Sequence, residues 1–160
     1  MNCTIREMRK DEYPLLADFL YEAIFIPEGV APPPRDIILQ DELQVYIRDF
    51  GEKPDDICFA AECGGRVVGA VWVRIMDDYG HIDDETPSFA ISLYKEYRGQ
   101  GTGTELMRTM TAELKKRGYK RASLAVQKAN YAVKMYKAVG FEITGENEEE
   151  YIMTIKLNEE

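Results

Sequence analysis

The chain has 160 residues, of which 45% are hydrophobic and 31% charged, and its formal net charge at pH 7 is −9. This length fits one domain with a sizeable core, and the composition is unlike that of a disordered protein. The acidic balance argues against a general nucleic-acid binder, because phosphate contacts need a basic surface, and no apolar run of about 18 residues predicts a membrane span.

The cysteines and the first residues bear on the compartment. Cys3, Cys58 and Cys63 are odd in number and lie in apolar or strand-like stretches, which predicts buried, reduced thiols in preference to a disulfide framework or a metal site. The opening stretch MNCTIREMRKDEYP is too polar for a signal peptide, so we expect a cytoplasmic protein.

The first half of the chain predicts a strand, two helices and a hairpin. Residues 3–8 alternate as a half-buried strand does, and apolar residues at helical spacing predict a helix over 11–25. The proline-rich stretch 25–36 ends that helix, and a second helix is predicted over about 35–50. Two strands follow, joined at Gly64 and Gly65, a pair suited to a two-residue hairpin turn.

The second half predicts a loop, a strand, a glycine-rich connection and then alternating elements. The predicted elements after the loop DYGHIDDETP are a strand over 88–94, a helix over 102–117, a strand RASLAV, a short helix over 130–139 and a final hairpin. The order β-α-α-β-β-β-α-β-α-β-β predicts one α/β or α+β domain around a mixed sheet.

The stretch YRGQGTGTEL, residues 97–106, concentrates glycines between a strand and a helix. One interpretation is a tight turn whose helix is capped by Thr102 or Thr104. The other is a phosphate site, since glycines let a phosphate touch the unpaired N–H groups of a helix start. The spacing fits neither the dinucleotide fingerprint nor the Walker loop.

The same stretch contains R-x-x-G-x-G at Arg98, Gly101 and Gly103, and this pattern resembles the coenzyme A pyrophosphate loop of the GNAT superfamily of N-acetyltransferases. A second motif of the family is similar to VQKANYAVKMYKAVGF, which supplies Asn130, Ala132, Tyr136, Gly140 and Phe141. The order of the predicted elements also resembles that of the family from end to end.

The resemblance implies one acetyltransferase domain over residues 1–160, with a mostly antiparallel sheet, about four helices and acetyl-CoA held between two splayed strands. It implies no metal. By position, the residues it assigns to the cofactor are Ile91, Ser92 and Leu93 for the thioester arm, Gly99, Gln100, Gly101, Thr102, Gly103 and Thr104 for the pyrophosphate, Asn130, and Arg98 as a phosphate partner or through its main chain.

The implied reaction is direct transfer of an acetyl group to a primary amine of a small molecule or peptide. Tyr136 is the expected general acid for the leaving thiol, because a phenol stays protonated at neutral pH. The strand stretch ASLAVQ lacks the glutamate that some relatives use as base. The base is therefore left open among His81, Asp83, Asp84, Glu85, Glu28 and a water chain.

Two other functions stay open at this point. A non-catalytic acyl-CoA-binding or regulatory module would keep the glycine loop without needing Tyr136, and an unrelated nucleotide-phosphate binder would use the loop alone. We expect the acceptor pocket between the 25–36 connection and the loop before residue 88, where Glu22, Glu28, Asp83 and Asp84 would attract a cationic amine. No nucleic acid or membrane partner is expected, and the resemblance implies a homodimer.

Overall fold

Seven strands and four helices make up the computed structural model, which describes residues 3–159. The strands are β1 (Cys3–Glu7), β2 (Ile57–Cys63), β3 (Arg66–Arg74), β4 (Ser88–Leu93), β5 (Arg121–Gln127), β6 (Glu142–Glu146) and β7 (Glu150–Lys156). The helices are α1 (Leu16–Ala23), α2 (Asp41–Gln44), α3 (Thr102–Lys116) and α4 (Ala132–Val139). None of the helices in this part of the chain is long and apolar enough to cross a membrane.

The strands form one sheet in the order β1-β2-β3-β4-β5-β7-β6. Every neighbouring pair is antiparallel except β4 and β5, which run parallel. The predicted element order and the mixed, mostly antiparallel sheet are confirmed. The β2–β3 hairpin turns at Gly64 and Gly65, both at positive φ, as that turn requires.

The two helices predicted in the first half are shorter than expected. The segment predicted as one helix over 11–25 is a 3-10 turn over Lys10–Leu15, which contains Pro14, followed by α1. The 35–50 prediction was wrong in extent. A 3-10 turn over Arg35–Leu39 stops at Gln40, whose extended backbone (ψ 143°) interrupts the helix before the four residues of α2.

Each face of the sheet carries its own apolar core, because successive side chains of a strand point to opposite faces. On one face, Phe19 and Leu20 of α1 pack on Trp72 of β3. On the other, α3 and α4 cover the sheet, and the large side chains buried there include Leu106, Met107, Met110, Leu114, Phe89 and Phe141. We call these the α1 face and the α3 face.

A buried ion pair fixes the segment that follows α2. Arg74, 6% exposed, donates from Nε and Nη2 to the two oxygens of Asp56, both at 3.1 Å. Its Nη1 donates to the carbonyls of Val45 and Arg48 at 3.2 and 2.9 Å. The pair therefore ties residues 45–56 to the end of β3, and its hydrogen bonds offset the cost of burying two charges.

The prediction of three reduced thiols was wrong for two of them. Cys3 of β1 and Cys63 of β2 are direct partners in the strand register and form a disulfide. They are 60 residues apart in sequence, so only the strand pairing brings them together. Cys58 is free and buried as expected, and its burial raises the pKa of the thiol.

The Arg74–Asp56 pair yields a stability prediction. Replacing Asp56 by alanine should lower the free energy of unfolding by about 3–5 kcal/mol, because Arg74 would be left buried without its counter-ion. Asp41→Ala is the matched control. Asp41 pairs with Arg48 at 3.2 Å but its side chain is 90% exposed, so a change within about 0.5 kcal/mol is expected. Equal losses of unfolding free energy in the two variants, measured by urea denaturation, would contradict this prediction.

Candidate functional site

The site forms where the two parallel strands separate. The β4–β5 ladder holds one residue pair, Ser88 with Ser123, next to a hydrogen bond from the Ser123 N–H to the Pro87 carbonyl at 3.0 Å. By contrast β3 and β4 pair along six residues. A gap therefore opens between residues 89–93 of β4 and 124–127 of β5, which we call the β4–β5 gap.

Backbone groups of β4 line this gap. The Tyr94 N–H donates to the Val68 carbonyl of β3 at 2.9 Å, which fixes the alternation of the strand. Since the two edges of a strand are used by alternate residues, Ile91 and Leu93 direct their N–H and C=O groups into the gap. The backbone of Ser92 faces β3, and its hydroxyl donates to the Phe19 carbonyl at 2.6 Å.

The glycine loop leaves the first turn of α3 uncapped. Gly101 immediately precedes α3 in a left-handed conformation (φ 85°), and no side chain caps the helix. The interpretation of a turn capped by Thr102 or Thr104 is therefore not what the structure shows. The first intrahelical bond runs from the Glu105 N–H to the Gly101 carbonyl at 3.1 Å, so the preceding N–H groups lack helical acceptors.

The loop has room around its backbone. A Cβ added to Gly99 or Gly101 would meet no atom within 4 Å, and both residues have positive φ. A Cβ on Gly103 would come within 3.3 Å of the Met135 sulfur, so the start of α3 lies against α4. Glycine at 103 thus permits close helix packing, while 99 and 101 keep an open surface.

Arg98 is engaged within the protein. Its Nε donates to the Leu93 carbonyl at 2.9 Å, and its Nη2 lies 3.3 Å from the Glu22 carbonyl and 3.6 Å from the Glu22 carboxylate. The guanidinium therefore links the glycine loop to the end of β4 and to α1. The same contact places a positive charge beside Glu22, one of the acidic residues predicted to attract an acceptor.

Two residues of the second motif lie on or beside α4. Tyr136 is 9% exposed, packs against the Phe141 ring at 6.2 Å between centroids, and its hydroxyl makes no hydrogen bond within residues 3–159. Burial raises the pKa of Tyr136 to about 12. The Asn130 side-chain oxygen accepts from the Ala132 N–H at 2.9 Å, at the start of the helix.

The candidate bases named from the sequence are mostly solvated or already paired. Asp83 lies 2.7 Å from Arg121, and hydrogen bonds from Thr86 and Arg121 lower its pKa to about 2. The side chains of Asp84, Glu85 and Glu28 are exposed. His81 is partly buried, and its Nδ1 has no hydrogen-bond partner among the described residues.

Sequence reasoning missed Asp78, in the loop over 75–87 that joins β3 to β4. Its carboxylate accepts from Ser88 Oγ at 3.2 Å and from the Tyr46 hydroxyl at 3.4 Å. Burial raises the pKa of Asp78 above its usual value. Nothing in the local pattern distinguishes Asp78 from the neighbouring Asp77, because its partners are 10 and 32 residues away.

The described residues were also compared with the ligand sets that hold metal ions in proteins. Among residues 3–159, no group of three or more histidine, cysteine, aspartate or glutamate side chains is placed to hold a metal ion.

Comparison with known proteins gives one family. A family model described as Acetyltransferase (GNAT) family matches residues 16–141. The chain is 33% identical over 90 residues to N-acetyltransferase 8 of Mus musculus, covering 56% of this chain and 40% of that protein. It is 26% identical over 113 residues to N-acetyltransferase 8B of Homo sapiens, covering 70% and 50%. The chain thus spans half the length, or less, of these curated relatives.

Solved structures share the whole fold. An acetyltransferase of the GNAT family from Streptococcus pneumoniae superposes with a TM-score of 0.72 at 21% identity, covering 98% of this chain and 100% of that one. The PaiA N-acetyltransferase from Thermoplasma acidophilum, solved in complex with coenzyme A, has a TM-score of 0.69 at 17% identity and covers 98% and 99%. At these sequence identities, the similarity shows that the fold is shared.

Proposed function

This chain belongs to the Acetyltransferase (GNAT) family, and from that premise we propose that it transfers an acetyl group from acetyl-CoA to a primary amine of a small molecule or peptide. One observation carries the proposal: the β4–β5 gap opens directly beside an uncapped, glycine-rich helix start. We propose this activity for one domain over residues 1–160, in a cytoplasmic protein that forms a homodimer and needs no metal. The Cys3–Cys63 disulfide is of a kind that is uncommon in that compartment.

The strand edge would bind the thioester arm of the donor. Ile91 offers an N–H and a C=O to the gap, whereas the Leu93 carbonyl is already taken by Arg98 and only its N–H is free. Ser92 contributes by position, since it separates these two residues and anchors β4 to α1 through its hydroxyl. These directional groups would orient the arm along the strand and aim the acetyl carbonyl at a free N–H.

The glycine loop would bind the pyrophosphate. A net charge of −9 gives no general attraction for an anion, so the site must rely on local groups. The free N–H groups over 99–104 and the positive end of the α3 dipole are such groups. Arg98 holds the loop in place through its ties to Leu93 and Glu22, and Asn130 would bind the donor from the start of α4.

Tyr136 would assist departure of the sulfur. When the amine nitrogen bonds to the acetyl carbon, the carbon–sulfur bond breaks and negative charge collects on sulfur. With a pKa of about 12, Tyr136 keeps its proton throughout the physiological range and can donate it to that sulfur. A phenol is a weaker acid than an ordinary thiol, but a desolvated thiolate also has a raised pKa, which brings the two groups closer.

Binding and turnover measurements test the proposal. We expect calorimetry to show binding of acetyl-CoA and coenzyme A but not of ATP. We also expect the release of free coenzyme A thiol to rise when an amine is added, namely spermidine, Nα-acetyl-lysine amide or a tetrapeptide with a free α-amine. Binding of ATP alone would indicate a nucleotide-phosphate site. Binding of acetyl-CoA with no amine-dependent thiol release would indicate a non-catalytic acyl-CoA-binding module.

The glycine loop gives a prediction on affinity. Gly101→Asp should abolish measurable acetyl-CoA binding, because a carboxylate would enter the open surface meant for the pyrophosphate. Gly65→Asp is the matched control: Gly65 has φ 81° against 85° for Gly101, and it too has no atom within 4 Å of an added Cβ, but it lies in the β2–β3 turn. Retained affinity in a folded Gly101→Asp variant would contradict the site.

Tyr136 gives a prediction on turnover. Tyr136→Phe should lower kcat about 10²- to 10⁴-fold and leave acetyl-CoA affinity unchanged, since the ring stays and only the proton donor is lost. Tyr131→Phe, the same change at a side chain that is 75% exposed, should have no effect. The wild-type kcat should show no loss from ionisation of Tyr136 below about pH 11. An unchanged rate in Tyr136→Phe would remove the residue from the mechanism.

A further inference from the structure

Among the described residues, Asp78 has no cation beside it, in contrast to the carboxylates of Asp56 and Glu12. Asp56 is paired with Arg74 at 3.1 Å, and Glu12 with Arg6 at 2.8 Å. Within residues 3–159, no arginine, lysine or histidine nitrogen lies within 4 Å of the Asp78 carboxylate, whose side-chain partners are the hydroxyls of Ser88 and Tyr46. A partly buried carboxylate without a counter-ion is costly unless hydrogen bonds, protonation or an incoming positive charge offset its lost hydration.

This carboxylate lies at the closed end of the β4–β5 gap, opposite the end that meets the glycine loop. Its partner Ser88 is the β4 residue at the last contact between the two strands. The loop that carries it lies on β5, since a Cβ on Gly80 would be 3.2 Å from the Ala125 nitrogen and the Gly80 carbonyl accepts from Ser123 Oγ at 2.7 Å. The loop segment from Asp78 to Gly80 therefore bridges both strands where they begin to separate.

This carboxylate lies on the α1 face, opposite the helices that carry Tyr136. Ser88 shares that face with Ala90, by the alternation that puts Phe89 in the core of the α3 face. Glu150 of β7 lies opposite Gln127 in the register, and its charge interacts with Asp78 and with Tyr46. The two carboxylates give this side of the gap a negative charge.

We propose that Asp78 is the general base: it binds the ammonium group of the acceptor on the α1 face, near the closed end of the gap, and removes one of its protons. The assignment rests on the proposed acetyl transfer. The carboxylate takes a proton from the ammonium, the freed nitrogen bonds to the acetyl carbon, and the carbon–sulfur bond breaks. The nitrogen then gives up its second proton as sulfur gains one, so the sum is one amide, one thiol and one proton released from Asp78 to solvent.

Tyr46 and Ser88 position this base and set its strength. Both donate hydrogen bonds to the carboxylate, which favours the charged form and lowers its pKa, whereas burial raises it. The charge of Asp78 in turn raises the pKa of Glu150. The ionisable groups around Asp78 are thus Tyr46 from the segment after α2, Glu150 from β7, and His81 of the same loop, whose N–H donates to the Asp78 carbonyl. Neither Tyr46 nor Glu150 can carry a positive charge.

The assignment makes a pH-dependent prediction for Asp78→Asn. The variant can use only the free amine, so its rate should fall about 10²- to 10³-fold at three pH units below the pKa of the acceptor. The deficit should then shrink about tenfold for each unit of rising pH. The acceptor is whichever of spermidine, Nα-acetyl-lysine amide and the tetrapeptide the wild type uses fastest, and acetyl-CoA affinity should be unchanged.

Two further variants complete the test. Asp77→Asn changes the exposed neighbouring carboxylate and should behave as wild type. Tyr46→Phe removes one hydrogen bond to the charged base, so the acidic limb of its kcat/KM profile should move to higher pH. This shift keeps the proposal testable if Asp78→Asn does not fold, which thermal unfolding would reveal.

The outcomes separate this assignment from the reaction itself. A wild type that releases no thiol with any of the amines overturns both. An active wild type overturns Asp78 alone if Asp78→Asn keeps its kcat, if its deficit does not change with pH, or if only KM rises. An acidic limb that stays in place in Tyr46→Phe also counts against the assignment.

Discussion

The single residue pair between β4 and β5 is the constraint on which the rest of the site depends. A fully paired parallel ladder would close the sheet and satisfy the backbone of Ile91 and Leu93 internally. Because the ladder stops after Ser88, the N–H and C=O of Ile91 and the N–H of Leu93 stay available, whereas the Leu93 carbonyl accepts from Arg98. An unsatisfied buried backbone group costs about 1–3 kcal/mol until a ligand pairs with it. Unpaired groups of this kind favour an extended, amide-containing ligand, as the proposed function requires.

The sheet tolerates this gap because its two halves are held together elsewhere. Strands β1 to β4 form one antiparallel unit and β5, β7 and β6 another. The core of the α3 face crosses between them, where Met107 and Leu114 pack with Phe89 from one unit and Leu124 from the other. Arg98 and Ser92 add polar ties from β4 to the glycine loop and to α1. Apolar packing thus holds the two halves of the sheet together where β4 and β5 are not paired.

Local features of the site could be predicted from the sequence, whereas those that depend on distant residues could not. The glycine spacing and Tyr136 lie in short motifs, and the α3 prediction ended within one residue of the observed helix. The first-half helices were overextended, because apolar spacing does not reveal the extended backbone of Gln40. The Cys3–Cys63 pair and the partners of Asp78 depend on strand register and loop placement, which join residues far apart in the chain.

The Cys3–Cys63 disulfide affects how the chain responds to cleavage by a protease. It closes a covalent ring from Cys3 to Cys63 that includes α1, α2 and the proline-rich connection between them. That connection is largely exposed over 27–34, where a protease would reach it first. A chain cleaved there would keep both pieces joined through the sulfur bridge, so the α1 face could survive nicking as one assembled unit until a reductant separated the fragments.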